Sequence, residues 1–174
     1  MNNIKTGKLG PIVSSSQLAQ GSMPSLSEFE FGLIMASHAF QRWMVRCMTA
    51  AGVPGLSPLD VMVLFCVHHR TKPKRLADIC LVLNVEDTHL VSYAIRKLDG
   101  AGLVKSGKSG KEKTVVLTDK GDEVCRRYRE VREELLVDTI KSLGVQPETA
   151  SSLARELRVL SGHYDQAARA AASL

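Results

Sequence analysis

Thr88, His89, Ser92, Tyr93 and Arg96 recur at the spacing of one helical face between about Asp87 and Ala101. Each can donate or accept a hydrogen bond. Leu90, Val91, Ala94, Ile95 and Leu98 form the apolar set opposite, and Lys97 stands at the edge between the two, where it is expected to join the binding groups. A row of such groups recognises a polar surface; it does not catalyse. The chain has no nucleophile elbow, phosphate loop or metal-ligand spacing, and its five histidines are scattered or adjacent. An enzyme is therefore not expected, and neither a cofactor nor a metal is implied.

Charge points to the kind of surface. From Arg70 to Lys120 there are eleven Lys/Arg and six Asp/Glu, an excess of five equal to the net charge of the whole 174-residue chain. A basic face confined to one segment suits a polyanion. Lys105, Lys108, Lys111 and Lys113 lie in and beside the run Ser106–Lys111, and Lys74 and Arg75 precede the next apolar stretch. The competing explanation for any one of these lysines is a solvated surface charge.

Elements must hold these residues in place. Residues 1–27 are rich in Ser, Gly, Asn and Gln without an apolar period, and read as a flexible N-terminal arm. A helix is expected from about Ser27, capped by that residue, to Ala51. It carries Phe29, Leu33, Ala36, Phe40, Trp43, Cys47 and Ala50 on a heptad stripe. Ser57-Pro58-Leu59-Asp60 is a helix start with Ser cap, early Pro and a carboxylate three residues on. That start assigns the all-apolar run Val61–Val67 to a helix. The run is too short to span a bilayer, and no signal peptide is evident.

A short helix is expected over Lys74–Leu83, then a turn at Asn84, with Val85 plugged into the core and Asp87 capping the recognition face. Leu103–Lys105 and Thr114–Leu117 read as strands around a Gly/Ser turn, making a hairpin. Thr118 caps a helix running to about Leu143, with Val124, Tyr128, Val131, Leu135 and Leu136 inward. Pro147 opens the last helix, whose stripe is Ala150, Leu153, Leu157, Leu160, Tyr164, Ala167 and Ala171. Two terminal stripes exceed what the small middle segment can cover. They predict a homodimer through Phe29, Leu33, Phe40, Trp43, Leu153, Leu157, Leu160 and Tyr164. Four cysteines without a CxxC pair read as buried free thiols of a cytoplasmic protein. Arg46 beside Cys47 gives weak support to a redox role there.

The fold class is thus mainly α with a small β-hairpin wing. An N-terminal dimerisation helix occupies 28–56, a winged helix-turn-helix lobe 57–118, and C-terminal dimerisation helices 119–174. The order of elements resembles the MarR family of transcription regulators. The residues that carry the likeness are Ser57-Pro58, Leu76-Ala77-Asp78-Ile79, Leu83-Asn84-Val85, the run Arg96–Val104 (RKLDGAGLV), and Leu117-Thr118-Asp119-Lys120-Gly121.

The resemblance implies a dimer that places its recognition helix in the major groove of double-stranded DNA and its wing near the minor groove. It also implies a small-molecule effector bound between the dimer helices and the DNA-binding lobe. Two features depart from the family pattern. The recognition helix starts with Glu86-Asp87, and the wing carries lysines where an arginine is usual. A winged helix that binds another protein and not DNA is the alternative these departures raise.

Overall fold

The computed structural model describes residues 10–70, 72–109 and 112–174. They form two compact units, one ending at Tyr128 and one beginning at Arg129.

In the first unit, α1 runs Pro24–Ala50. It begins earlier than the expected Ser27 because Pro24, with its φ already set for a helix, occupies the first turn. Ser27 is buried, and its hydroxyl donates to the Leu18 carbonyl at 3.0 Å. That carbonyl belongs to a short 3-10 turn, Ser16–Gln20, inside the stretch expected to be a loose arm. α2 spans Pro58–His68 with the capping box in place: the Ser57 hydroxyl accepts from Asp60 N, and the Asp60 carboxylate accepts from Ser57 N.

Lys74 and Arg75 are not the first turn of a helix. They form a two-residue strand, β1, and the helix α3 is Leu76–Leu83. Asn84 then takes the left-handed conformation, φ 52° and ψ 46°, that turns the chain into the next helix. α4 is Thr88–Gly100, and the Asp87 carboxylate caps it by accepting from His89 N at 2.8 Å. β2 (Val104–Ser109) and β3 (Glu112–Leu117) pair antiparallel, and β1 adds to the other edge of β3, giving the order β1-β3-β2.

The core of this unit is apolar and closely filled. Met48 from α1, Val61, Val63 and Leu64 from α2, Ile79 from α3, Val91 and Leu98 from α4, and Leu103 and Val104 at the wing base are all essentially inaccessible to water. Leu90 was expected among them but is 52% exposed. It lies about 100° from its neighbour Val91 around the helix, so burying Val91, Ala94 and Leu98 leaves Leu90 on a flank.

The wing base is tied by one residue. Thr118 stands just before α5 (Asp119–Arg132), where its hydroxyl lies 2.8 Å from the Gly102 carbonyl and 3.0 Å from that of Leu103. The same oxygen accepts from Gly121 N at 3.0 Å, capping α5. Gly121 has to be glycine: a Cβ there would come within 2.1 Å of the Leu103 carbonyl oxygen.

In the second unit the helix continues through a π segment, Glu133–Val137, into α6 (Asp138–Ser142), and α7 spans Pro147–Ala171. No residue of these three segments is buried in the single chain. Val131 and Leu136, expected inward, are half-buried, and Leu135 is exposed.

Candidate nucleic-acid interface

The outer face of α4 is as the periodicity predicts. Thr88, His89, Tyr93 and Arg96 are exposed and Ser92 is half-buried. The Arg96 guanidinium carbon lies 5.9 Å from the centre of the Tyr93 ring, within cation–π range. No carboxylate pairs with Arg96 among the described residues.

The strand register decides where the wing lysines point. Lys108 lies directly opposite Lys113, Ser106 opposite Val115, and Val104 opposite Leu117. Side chains of a hairpin alternate between faces, so Lys108 and Lys113 share the face of buried Val104 and Val115, the face turned toward α4. Lys105, opposite Val116, is on the other face and does not join them. Lys111 lies outside the described residues.

Between α4 and the wing is an open cleft of about 390 Å³. Leu76, Ile95 and Val115 line its floor; Ser92, Arg96, Lys108 and Lys113 supply its polar groups, and no carboxylate lines it. Like charges directly opposed on a sheet repel. Lys108 and Lys113 are so opposed, with Arg96 lining the same cleft, and an anion seated between them would relieve that repulsion. Ser106, Gly107 and Thr114 also line the cleft. The sequence did not single them out, because their place depends on a register that a Gly/Ser-rich turn leaves open.

Two expected cations are engaged elsewhere. Arg75 grips Asp78 with two hydrogen bonds of 2.9 Å and reaches Glu112 at 3.4 Å. Those hydrogen bonds to Asp78 hold the guanidinium above its ordinary pKa, with Asp78's charge and Glu112 adding to the effect. They also hold the Asp78 carboxyl below its usual value. Lys97 donates to Asp60 at 2.8 Å and so turns its ammonium toward α2. Lys74 is half-buried, and its backbone pairs with Val115. The cations left for a ligand at the cleft are Arg96, Lys108 and Lys113.

The terminal stripes remain largely uncovered in one chain. Phe29, Leu33, Phe40, Leu153, Leu157 and Tyr164 are exposed, while Trp43 and Leu160 are half-buried. All four cysteines are free; Cys47, Cys80 and Cys125 are buried and Cys66 is half-buried. Burial pushes the Cys66 thiol up from its usual pKa. The Cys47 sulfur lies 3.6 Å from the Tyr128 carbonyl oxygen. Among the described residues no three His, Cys, Asp or Glu side chains group as a metal site, and no helix is long and apolar enough to cross a membrane.

Residues 56–121 match the model of a family described as the winged helix DNA-binding domain. No curated protein sequence matches the chain. Similar solved structures include a MarR-family transcriptional regulator from Rhodococcus sp. RHA1, with 11% identity and a TM-score of 0.63 over 76% of this chain and 91% of that one. The repressor CouR bound to a 23-mer DNA duplex has 20% identity and a TM-score of 0.63 over 81% and 98%. A mutant MarR from E. coli complexed with operator DNA has 13% identity and a TM-score of 0.64 over 80% and 98%. Residues 56–121 thus match the winged helix DNA-binding domain, and the chain has the fold of the MarR-family transcription regulators.

Proposed function

We propose that this protein is a dimeric, sequence-specific DNA-binding transcription regulator. The observation that carries the reading is the cleft between α4 and the wing, where Arg96, Lys108 and Lys113 meet without a carboxylate. A backbone phosphate fits there: an anion with several acceptor oxygens for the ammonium groups of Lys108 and Lys113 and for the Ser92 hydroxyl. With a strand of the duplex in the cleft, α4 lies in the major groove. Thr88, His89, Tyr93 and Arg96 then face base edges, and the wing tip reaches toward the next groove.

Neighbours of the same fold that were solved on DNA support this reading. The open stripes on α1 and α7 support the dimer, since each long helix leaves an apolar face uncovered in one chain. Lys105 and Lys74 would make backbone contacts outside the cleft, and Lys111 would add to the basic charge of the wing. A small-molecule effector between the dimer helices and the lobe belongs to the same reading.

A gel-shift titration on genomic fragments at two salt concentrations tests it. A subset of fragments should give a tight band that weakens steeply with salt. The second reading, a winged helix that docks on a protein, draws on the acidic pair Glu86 and Asp87 and on exposed Leu81, Val82 and Leu90 near the start of α4. Absence of any band at low salt would favour it.

A further inference from the structure

Among the described residues, Asp60 is the most deeply buried carboxylate of the lobe, with its side chain 3% exposed. One of its oxygens, Oδ2, accepts from Ser57 N at 2.7 Å and from Lys97 Nζ at 2.8 Å. Ser57 and Asp60 belong to the start of α2, whereas Lys97 belongs to α4, 37 residues further on. The lysine therefore crosses between the helix that anchors the lobe and the helix that faces DNA.

Apolar packing alone would hold α4 loosely in one respect. Val91, Ala94, Ile95 and Leu98 bury its inner face, but such contacts are non-directional and tolerate a roll of the helix about its axis. A charge-assisted hydrogen bond is directional. Lys97 is the residue next to Arg96 and lies about 100° around the helix from it. Fixing the Lys97 ammonium on a buried, capped carboxylate fixes the angle at which Arg96 and Tyr93 are presented.

We propose that the Asp60–Lys97 pair is a strut that sets the roll of α4, so that Lys97 is a positioning residue for the recognition face and not a DNA contact. The proposal rests on the DNA-binding reading for its functional effect and on the geometry alone for its effect on α4.

The test uses full-length wild type, Lys97→Met and the double variant Asp60→Asn/Lys97→Met. The double variant leaves no carboxylate unpaired, and the side-chain amide oxygen introduced by Asp60→Asn can still accept from Ser57 N. Each protein is titrated by fluorescence anisotropy across a salt series. One duplex is selected from a random pool by the wild type; the other is a scrambled duplex of the same length. Both variants should bind the selected duplex about tenfold or more weakly, a loss on the scale of one good base contact. Binding to the scrambled duplex and the slope of log affinity against log salt should stay as in wild type.

Uniform weakening on both duplexes with the slope lower by about 1 would make Lys97 a phosphate contact and overturn the proposal. Recovery of full discrimination in the double variant would reduce Lys97 to neutralising Asp60, and would overturn it as well. Amide hydrogen exchange without DNA separates this proposal from the DNA-binding reading. Both variants should lose protection in Thr88–Gly100 more than in Pro58–His68. If the wild type binds no duplex, the DNA reading fails and the exchange result alone decides; unchanged exchange in α4 sinks the strut.

Discussion

Lys108 and Lys113 face each other across the wing with Arg96 on the far wall of the cleft, and Arg96 and Lys113 make different predictions. Arg96, on the outer face beside Tyr93, can lie bidentate against a guanine. Arg96→Ala should then cost about 1–3 kcal/mol and relax the preference at one base position, measured as affinities for a panel of single-base operator variants. Lys113→Ala should weaken binding equally on every sequence and lower the salt slope by about 1; a sequence-dependent loss would contradict its placement on a phosphate. Cys125 belongs to stability and not to recognition. Burial, with Asp122 second, pushes its thiol from 9.0 to about 12. The fold therefore favours the neutral thiol. Its stabilisation is complete below pH 9.0 and is lost as pH rises toward about 12. Urea midpoints at about pH 8 and about pH 11 should fall further in wild type than in Cys125→Ala; equal falls would contradict the shift. At this scale the sequence was legible where one helix carried the pattern, as for His89, Tyr93 and Arg96. It was not legible where a partner lay far off in the chain. Nothing near Lys97 names Asp60, so that lysine looked available when it is not; Arg75 is held mainly by Asp78, three residues on, a pairing the sequence could have shown, and only its reach to Glu112 needed the structure.

Among the elements, the turn at Asn84 and the caps at Ser57 and Asp87 could be read locally, because a cap or a left-handed turn depends on one to four consecutive residues. The run Leu117–Gly121 could be recognised, but its reason needed the structure: Thr118 joins the end of the wing to Gly102 and Leu103, and Gly121 lets α5 touch that backbone. Gly121→Ala should therefore destabilise the lobe by about 3 kcal/mol, the upper end of overpacking costs, seen as a lowered melting temperature. Asp87→Ala should cost about 1 kcal/mol through the lost cap; a larger loss of DNA affinity than of stability would show that the carboxylate also touches bases. β1 was missed because two residues carry no period, and its pairing with Val115 and Thr114 is set by tertiary structure. The start of α1 was misplaced because Ser27 resembles a cap, whereas Pro24 already begins the helix.

For the whole molecule, the net charge of +5 is concentrated in the winged segment, and the long helices outside it leave apolar stripes open. In this 174-residue chain α7 buries no residue, and the proposed dimer would cover its apolar face. Leu33→Glu and Leu157→Glu, each on an exposed stripe position, should shift the mass measured by light scattering from two chains toward one. A wild type that is monomeric at micromolar concentration would remove the dimer. The stripes were legible from the sequence because heptads are local; what covers them is not, since local spacing carries no information about it.

The most direct test of the account is selection of bound duplexes from a random DNA pool with wild-type protein. A symmetric dimer presenting two copies of α4 should enrich a palindrome with half-sites about 10–10.5 base pairs apart. Lys108→Ala/Lys113→Ala should retain that motif while binding it more weakly. No enriched sequence at low salt would contradict the central claim that the cleft between α4 and the wing is built for DNA.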